Sequence, residues 1–455
     1  MELKDKEVAV IGLGEKTGVE TVKFLAEQGA NIIVSDTKSS QELAAELEEL
    51  VEYDYTADLD GHTPELLLQA DIFIVSPGVP TEIPIIKQAQ KKGIEVISEI
   101  ELAYRFNQTR LVAITGTNGK TTTTTLLGQI FKAGYEHQVA VGGNIGRPLI
   151  KDLPYLAEED LAIAEISSFQ LELIKDFKAE IALFLNLTPD HLKRHGDLES
   201  YIQAKQRLFE NQQEDDYTIL NYDDAIIRDF AKLTAGQVIF FSQKEELEQG
   251  IFVKDGQIVS NLNSKLEEIL PVKQLKIKGP HNLENTLAAV AVAKLVGIEN
   301  DRLKDVLKSF SGVEHRIETL APVNGVDYIN DSKGTNPAAT MKALATFERG
   351  IILIAGGKDK GSDFSELLKA GNGKIKSLIL LGETAEKIAK TAKQIGYQDI
   401  NRVESIKQAV NLANQIAVAG DVVLLSPACS SLDMFLNYKE RGELFKKAVL
   451  DLRGK

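Results

Sequence analysis

This sequence of 455 residues has no tryptophan, a single cysteine and no long apolar run. Its one cysteine, Cys429, excludes an intramolecular disulfide, and there is no Cys-x-x-Cys pair or cysteine–histidine cluster to bind structural zinc. No apolar run approaches the roughly 20 residues that a membrane-spanning helix needs. The N-terminal MELKDKEVAVIGLG carries acidic residues and continues directly into a strand pattern, which is not typical of a signal peptide. We therefore expect a soluble, cytoplasmic protein.

Basic residues are too few to balance the acidic ones. Lys and Arg together number 52 and Asp and Glu 67, which gives a formal net charge of −15 at pH 7. This charge argues against a protein that binds nucleic acid or a membrane surface through a general basic face, because both partners are polyanionic. Any anionic ligand must therefore be held by local cations. Hydrophobic residues make up 43% of the chain, which is typical of a globular protein with full cores.

Short runs rich in Val and Ile alternate with longer amphipathic segments, a pattern typical of βαβ units with buried parallel strands. At about 150 residues per domain, the length predicts three domains, and three series of such units are present. Predicted strands occupy 7–13, 31–35 and 71–75 in the first series, 111–115, 161–165 and 181–185 in the second, and 351–355, 377–381 and 421–425 in the third. The predicted fold is α/β, with domains at 1–98, 99–312 and 313–455.

The segment TGTNGKTT, residues 115–122, lies between a predicted strand and a predicted helix. Glycines let backbone N–H groups face one anion, Lys120 can reach terminal phosphates, and the Thr121 hydroxyl can bind Mg²⁺. The strict phosphate-loop pattern would need glycine at position 114, which is Ile114, so this loop is a variant. The alternative interpretation is a glycine-rich turn with a chance lysine.

A second glycine loop, GLGEKTG at 12–18, also follows a strand, and Asp36 ends the next strand, where an acid can bind a ribose hydroxyl. The dinucleotide fingerprint would need glycine where Thr17 stands, so a nicotinamide cofactor is only weakly indicated. The βαβ topology nevertheless favours a nucleotide-shaped ligand. The loop SPGVP at 76–80 lies at the same predicted edge of the sheet.

Polar residues gather at the predicted carboxyl ends of other strands. The carboxylate of Glu165 is suited to binding Mg²⁺. The alternative interpretation is that it caps the helix that follows. NLTPDHLKRHG (186–196) offers Asp190 and His191, although a single histidine in a turn is often structural. NDSKGTNP (330–337), GGKDKGSDF (356–364) and SPACSSLDMF (426–435, predicted to open a helix) are each compatible with a capped turn and solvated lysines. Together they indicate a site for a small anionic substrate.

These motifs, with EISSFQLE, HNLENT and HRIE, occur in an order that resembles the Mur ligases of peptidoglycan synthesis. The resemblance implies an N-terminal Rossmann-like domain, a central P-loop-type ATPase domain and a C-terminal Rossmann-like domain. Within the family, NDSKGTNP, EISSFQLE and SPACSSLDMF are most similar to the members that use D-glutamate. The implied activity is ATP- and Mg²⁺-dependent ligation of D-glutamate to UDP-N-acetylmuramoyl-L-alanine through an acyl phosphate, giving ADP and phosphate.

The resemblance also implies roles for individual residues. Lys120, Glu165, His191 and Lys205 would be catalytic, and the metal would bind Thr121, Glu165, His191 and Lys205. ATP would contact Gly116, Thr117, Asn118, Gly119, Lys120, Thr121, Thr122, Asn285, Arg316, Asp331 and Lys333. The UDP substrate would contact Gly14, Thr17, Asp36, Thr37, Gly78, Asn144, Ser167 and Gln170, and D-glutamate would contact Thr335, Lys360, Ser431 and Tyr438.

Lys205 is the residue on which the two lines of reasoning differ. Composition alone predicts a solvent-exposed lysine on a helix, whereas the resemblance implies a carbamylated lysine that binds metal. Two rival functions stay open at this point: a nucleotide-dependent binding or regulatory protein, and a related ligase that uses another amino acid. A monomer is expected, because no coiled-coil seam is visible, and no nucleic-acid or membrane partner is expected.

Overall fold

The structure, a computed structural model, describes residues 1–262, 265–348, 350–359 and 361–453. The chain divides into two compact units, Met1–Phe310 and Ser311–Lys455. The described residues form three sheets, two in the first unit and one in the second, with helices between their strands, so the predicted α/β class is confirmed. Within the described ranges, no helix is long and apolar enough to cross a membrane.

The first sheet has five parallel strands in the order β3-β2-β1-β4-β5. The strands are Glu7–Ile11 (β1), Asn31–Ser35 (β2), Thr56–Asp58 (β3), Ile72–Val75 (β4) and Glu95–Ser98 (β5). The helices are Val19–Glu27 (α1), Ala44–Glu48 (α2), Pro64–Leu67 (α3), Pro84–Lys91 (α4) and Glu99–Arg105 (α5). The strand order reverses beside β1, and such a reversal leaves a crevice outside the carboxyl ends of the strands.

The second sheet has nine strands in the order β14-β13-β12-β11-β10-β9-β6-β8-β7. They are Arg110–Thr115 (β6), Val139–Gly143 (β7), Leu161–Glu165 (β8), Ile181–Phe184 (β9), Tyr217–Asn221 (β10), Gln237–Ser242 (β11), Gly250–Lys254 (β12), Gln257–Leu262 (β13) and Lys265–Pro271 (β14). β13 pairs in antiparallel fashion with both of its neighbours, β12 and β14, a feature that the sequence reasoning did not predict. The other neighbouring pairs are parallel.

The helices of the second sheet are Lys120–Gly134 (α6), Ser168–Leu171 (α7), Leu192–His195 (α8), Leu198–Gln206 (α9), Ala225–Asp229 (α10), Pro280–Val296 (α11) and Asn300–Ser309 (α12). α6 and α11 share one apolar core with the sheet, and Leu126 and Leu287 are both fully buried in it. The apolar run from Leu287 to Ala293 is buried throughout, which explains why α11 shows no amphipathic pattern.

The third sheet has six strands in the order β15-β16-β20-β17-β18-β19. They are Glu318–Thr319 (β15), Asp327–Asn330 (β16), Ile351–Ala355 (β17), Ile375–Leu380 (β18), Ile400–Arg402 (β19) and Val422–Leu425 (β20). The helices are Pro337–Ala345 (α13), Ser365–Gly371 (α14), Ala385–Ile395 (α15), Ile406–Ile416 (α16) and Tyr438–Arg453 (α17). β15 alone pairs in antiparallel fashion among the described strands of this sheet.

The expectation that SPACSSLDMF opens a helix is wrong. None of the residues 426–437 is helical, and α17 begins only at Tyr438. Ala428 has a φ of +59°, a left-handed conformation that stops a helix from starting there. Asn437 instead caps the helix from the position before it, because its Oδ1 accepts the N–H groups of Lys439 and Glu440 at 2.9 and 3.1 Å.

The first two sheets form one compact unit because their cores are continuous. One apolar cluster contains Val8 and Phe24 of the first series together with Ile150 and Phe177 of the second. Helix α5, which joins the two sheets in sequence, is fully buried at Glu101. The predicted boundary between residues 98 and 99 falls inside this unit and stays a prediction, as does the boundary between residues 312 and 313.

Candidate active site

A cavity of about 520 Å³ opens at the carboxyl ends of the strands of the first sheet. Loops that follow β1, β2 and β4 line it, together with residues that follow β7 and Gln170 of α7. Most of the residues predicted for the UDP substrate line this cavity: Gly14, Thr17, Asp36, Thr37, Gly78, Asn144 and Gln170. Ser167 is not among its lining residues. Its hydroxyl caps α7 by accepting the Gln170 N–H at 3.3 Å.

Asp36 connects the loops that form this cavity. Its two carboxylate oxygens accept the backbone N–H groups of Leu13 and Lys38, each at 2.9 Å. Lys16, Lys38 and His62 also line the cavity. The sequence reasoning did not select these three residues, although a lysine next to each predicted loop was a visible signal. The two lysines supply the local positive charge that an anionic ligand would need in a protein of net charge −15, whereas burial lowers the pKa of His62 and favours its neutral form.

The variant phosphate loop lies between β6 and α6, so the predicted strand–loop–helix context is confirmed. Gly116 and Gly119 have φ values of +143° and +83°, a region that favours glycine. A Cβ at Gly119 would lie 2.1 Å from Oδ1 of Asn285, so this approach needs a glycine. Lys120 Nζ donates to the carbonyls of Gly116 and Thr117 at 2.7 and 3.0 Å, and Thr121 and Thr122 occupy the first turn of α6.

Glu165 ends β8, the strand beside β6, where it pairs in register with Ile114. Its side chain is 2% exposed, and Oε1 accepts a hydrogen bond from Asn144 Nδ2 at 2.8 Å. Oε2 is buried and has no hydrogen-bond partner among the described residues. A buried, unpartnered carboxylate oxygen is costly, and a divalent cation would satisfy it. The residues here fit Mg²⁺, and the alternative that Glu165 caps the next helix is wrong, because Ser167 does so.

Lys205 is 1% exposed, so the expectation of a solvent-exposed lysine is wrong. Its Nζ donates to Oγ1 of Thr115 at 3.1 Å and to the carbonyl of Gly116 at 2.9 Å. The amine also lies 5.0 Å from the centre of the Tyr201 ring. Burial, and then the nearby charge of Lys120, lower the pKa of Lys205 well below its ordinary value. The structure therefore brings Lys205 to the base of the phosphate loop.

His191 lies in an exposed turn before α8, with a φ of +53°. Its ring centre is 4.9 Å from that of Phe169, on α7, and its backbone N–H donates to Oδ1 of Asp190 at 2.9 Å. His195 packs against the same Phe169 ring, and its Nε2 lies 3.0 Å from Oγ of Ser168. Sequence reasoning missed His195, although its spacing of four residues from His191 places both on one side of a helical turn.

In the second unit, the three predicted anion-binding loops meet at the carboxyl edge of the sheet. The Gly334 carbonyl accepts the Ala428 N–H at 2.9 Å, and the Ser426 hydroxyl donates to Asp331 Oδ2 at 2.6 Å. Lys358 N–H donates to the Ser430 carbonyl at 2.9 Å, which joins the second loop to the third. Lys360 lies outside the described residues.

Asp331 is buried at the centre of these loops, and burial raises the pKa of its carboxyl to about 6. The Lys333 N–H donates to the His315 carbonyl at 2.9 Å, which places the HRIE segment, including Arg316, beside this loop. The Ser332 hydroxyl donates to the Tyr438 carbonyl at 2.7 Å, so the start of α17 is tied to the same loop. The other residues predicted for D-glutamate and described here are Thr335 and the buried Ser431.

A buried arginine that the sequence reasoning missed holds two of these loops together. Arg441 Nη2 donates to the Ser332 carbonyl at 2.8 Å, and Nη1 donates to the Cys429 carbonyl at 3.3 Å. Its acceptors there are neutral, and burial lowers its pKa to about 10. No motif around Arg441 indicated this, because the position of α17 against the loops is set by tertiary packing.

Comparison with known proteins places each sheet in a Mur ligase domain. Residues 6–98 match the Mur ligase MurD-like N-terminal domain, 114–293 the Mur ligase middle domain, and 315–429 the Mur ligase glutamate ligase domain. The chain is 49% identical over 455 residues to the UDP-N-acetylmuramoylalanine–D-glutamate ligase of Thermoanaerobacter pseudethanolicus, with 100% of each chain covered. It is 43% identical over 454 residues to the ligase of that name from Clostridioides difficile, again with 100% of each chain covered.

Two solved structures share the fold. The UDP-N-acetylmuramate–alanine ligase MurC of Thermotoga maritima is similar with a TM-score of 0.56 and 17% identity, over 98% of this chain and 99% of that one. The MurF ligase of the same organism, solved in complex with ADP, has a TM-score of 0.54 and 17% identity, over 92% of this chain and 95% of that one. At such identities the likeness shows the fold alone. The domain matches and the full-length identities together show that this chain belongs to the Mur ligase family.

Proposed function

We propose that this protein is an ATP-dependent ligase that joins D-glutamate to UDP-N-acetylmuramoyl-L-alanine through an acyl phosphate and releases ADP and phosphate. The observation that carries the proposal is the position of Asn144. This residue lines the 520 Å³ cavity and donates to Glu165, whose strand lies beside the strand of the phosphate loop. A substrate bound in the cavity with its carboxyl end at Asn144 would therefore have that end beside Glu165 and the strand of the phosphate loop. The names of the full-length relatives support the choice of D-glutamate.

The residues of the phosphate loop account for the first chemical step. A carboxylate is a poor electrophile, and phosphorylation by ATP makes it an acyl phosphate that an amine can attack. Residues 116–119 would bind phosphate oxygens through backbone N–H groups, and Lys120 would stabilise the charge on the transferring phosphoryl group. Asn285 would support this loop from α11, because it lies directly against Gly119.

Mg²⁺ is part of the proposal, with Thr121, Glu165, His191 and Lys205 as the residues that would hold it. When bound, the ion would offset negative charge on the phosphates and on the tetrahedral intermediate. The unpartnered Oε2 of Glu165 supports this assignment. Lys205 is proposed to be carbamylated, because a buried lysine held neutral can capture CO₂ and lose a proton. Its Nζ donates to two neutral oxygens, and burial lowers the pKa of Lys205 well below its ordinary value, which favours the neutral amine.

The second unit would supply the amino-acid site. Thr335, Lys360, Ser431 and Tyr438 are proposed to contact D-glutamate, and Arg316, Asp331 and Lys333 to contact ATP. Support comes from the meeting of the three loops that carry most of these residues. We further propose that the enzyme acts in the cytoplasm as a monomer without nucleic-acid or membrane partners. The net charge of −15 supports the absence of polyanionic partners.

A phosphate-release assay tests the proposed function. We expect release that requires ATP, Mg²⁺, UDP-N-acetylmuramoyl-L-alanine and D-glutamate together. Replacement of D-glutamate by L-alanine, L-lysine or diaminopimelate should abolish it. Release that is independent of the UDP sugar and the amino acid would instead indicate a nucleotide-dependent regulatory protein. Release with one of the replacement amino acids would indicate a related ligase of different specificity.

A further inference from the structure

Asn186 follows β9 and makes three hydrogen bonds to the phosphate loop from outside it. Its carbonyl accepts the Thr117 N–H at 2.9 Å. Its side-chain Oδ1 accepts the Asn118 N–H at 2.8 Å, and its Nδ2 donates to the Asn118 carbonyl at 3.2 Å. The side-chain amide thus pairs with both the N–H and the carbonyl of Asn118, as the backbone of a neighbouring strand would. No role for Asn186 follows from the loop pattern itself.

Glu284, in the HNLENT segment of α11, determines which way this amide faces. Asn186 Nδ2 donates to Glu284 Oε1 at 2.8 Å. A carboxylate can only accept hydrogen bonds, so the amide must direct its NH₂ toward Glu284 and its Oδ1 toward the Asn118 N–H. The next residue, Asn285, lies against Gly119. Two successive residues of α11 therefore support the loop, one directly and one through Asn186.

Support of this kind matters because the loop departs from the strict phosphate-loop pattern. Two of its residues, Gly116 and Gly119, have positive φ values and little intrinsic preference for one conformation. A loop that becomes ordered only when ATP binds loses conformational entropy at that moment, and affinity falls accordingly. Hydrogen bonds that order Thr117 and Asn118 beforehand remove that cost.

We propose that Asn186, oriented by Glu284, is a positioning residue that presets the Thr117–Asn118 backbone for the phosphates of the nucleotide. The inference rests on the proposed function, because it takes the phosphate loop as the ATP site. It predicts that loss of the Asn186 amide weakens the binding of ATP and leaves the binding of the other two substrates unchanged.

The test compares Asn186→Ala with Asn211→Ala in the full-length enzyme. Asn211 is a matched control, because its side-chain amide also makes two hydrogen bonds to the backbone: Nδ2 donates to the carbonyls of Lys175 and Phe177 at 2.7 and 3.0 Å, away from the loop. We expect Asn186→Ala to raise the KM and the calorimetric Kd for ATP about tenfold or more, with the KM values for the UDP substrate and D-glutamate within about twofold. Asn211→Ala should leave the KM for ATP unchanged.

Two substitutions that exchange the amide of residue 186 and the carboxylate of residue 284 distinguish a positioning role from a general structural effect. Asn186→Asp places a carboxylate against Glu284 and should raise the KM for ATP further than Asn186→Ala does, because two like charges then meet. In the double variant with Glu284→Gln, the new amide at position 284 can donate to the new carboxylate at position 186, so the hydrogen bond is restored in the opposite direction. The KM for ATP of the double variant should be at least fivefold lower than that of Asn186→Asp alone.

Three results would overturn the inference: an unchanged Kd for ATP in Asn186→Ala, an equal rise in all three KM values, or a double variant no better than Asn186→Asp. Failure of the proposed function has a different signature. The wild-type enzyme would then show no phosphate release that depends on both UDP-N-acetylmuramoyl-L-alanine and D-glutamate, whatever the Asn186 variants do to the Kd for ATP.

Discussion

Lys120 is the first residue of α6, and its amine bridges the carbonyls of Gly116 and Thr117 across the phosphate loop. We predict that Lys120→Ala lowers kcat by about 10²–10³, the usual cost of losing a preorganised contact to developing charge. The variant should fold normally, because the side chain is directed at loop carbonyls and not into the core. Phosphate release measures the effect, with Lys132→Ala, exposed on the last turn of the same helix, as the control. Near-native turnover of Lys120→Ala would contradict the assignment.

Lys205 carries the second prediction at the scale of single residues. Lys205→Ala should nearly abolish ligation, because it removes the proposed carbamate, and short carboxylic acids at millimolar concentrations should restore part of the rate by filling the vacated space. Lys205→Arg should not be rescued, because its guanidinium occupies that space and keeps the positive charge.

The ligation rate, with and without added acid, measures this effect, and the wild-type enzyme with added acid is the control. Wild-type turnover should not rise in the presence of the acid. A Lys205→Ala enzyme that ligates at the parental rate without additives would show that the buried amine has no part in the reaction.

At the scale of elements, helix α5 is attached to the second sheet by two buried carboxylates. Glu101 accepts the backbone N–H groups of Lys175, Asp176 and Phe177 at 2.8–3.1 Å. Glu99 Oε1 accepts the Ile150 N–H at 2.7 Å, while its Oε2 is buried without a partner among the described residues. The Glu99 contact ties α5 to Ile150, which follows the cavity residue Asn144 by six positions.

Glu99 makes the stability of this attachment depend on pH. Burial raises the pKa of Glu99 from 4.5 to about 7, so the folded protein holds this proton more tightly than the unfolded chain does. The free energy of unfolding should therefore fall as pH rises from about 4.5 to 7 and then level off. Glu99→Gln removes that penalty. It should raise the free energy of unfolding relative to wild type by on the order of 3 kcal/mol at pH 8 and by less than about 1 kcal/mol at pH 5.

Urea unfolding at pH 5 and pH 8 measures this difference. Glu48→Gln, on the exposed side of α2, is the control and should change the free energy of unfolding by no more than about 0.5 kcal/mol at either pH. An equal change for Glu99→Gln at both pH values would mean that Glu99 keeps an ordinary pKa in the folded protein.

At the scale of the whole molecule, residues proposed for different ligands lie in different compact units. The cavity proposed for the UDP substrate is formed within Met1–Phe310, whereas the residues proposed for D-glutamate belong to Ser311–Lys455. We predict that Lys360→Ala raises the KM for D-glutamate by about 10- to 100-fold, the cost of a lost hydrogen bond to a charged group. The KM for the UDP substrate should stay within about twofold. Steady-state kinetics with each substrate varied in turn would measure both KM values. A larger rise in the KM for the UDP substrate than in that for D-glutamate would mean that Lys360 belongs to the UDP-substrate site.

The sequence by itself determined the order of elements and the places where ligand loops occur. Hydrophobic periodicity is local, so the strands ending at Thr115, Glu165 and Ala355 and the glycine loop after Thr115 follow from segments of a few residues. Local patterns also indicated the loop NDSKGTNP, which ends at Pro337, the first residue of α13. They were insufficient at SPACSSLDMF, because the left-handed conformation at Ala428 depends on neighbouring loops and not on the segment alone.

Only the tertiary structure determined which of the site residues are buried and which hydrogen bonds they make. Lys205 bonds Thr115 across 90 residues of sequence, and this long-range packing removes its amine from water, an effect that no local pattern contains. The unpartnered oxygen of Glu165 and the support of the phosphate loop by Asn186 likewise arise where strands distant in sequence become neighbours. Desolvation and hydrogen-bond satisfaction depend on everything that surrounds a group, whereas the sequence lists only the residues beside it along the chain.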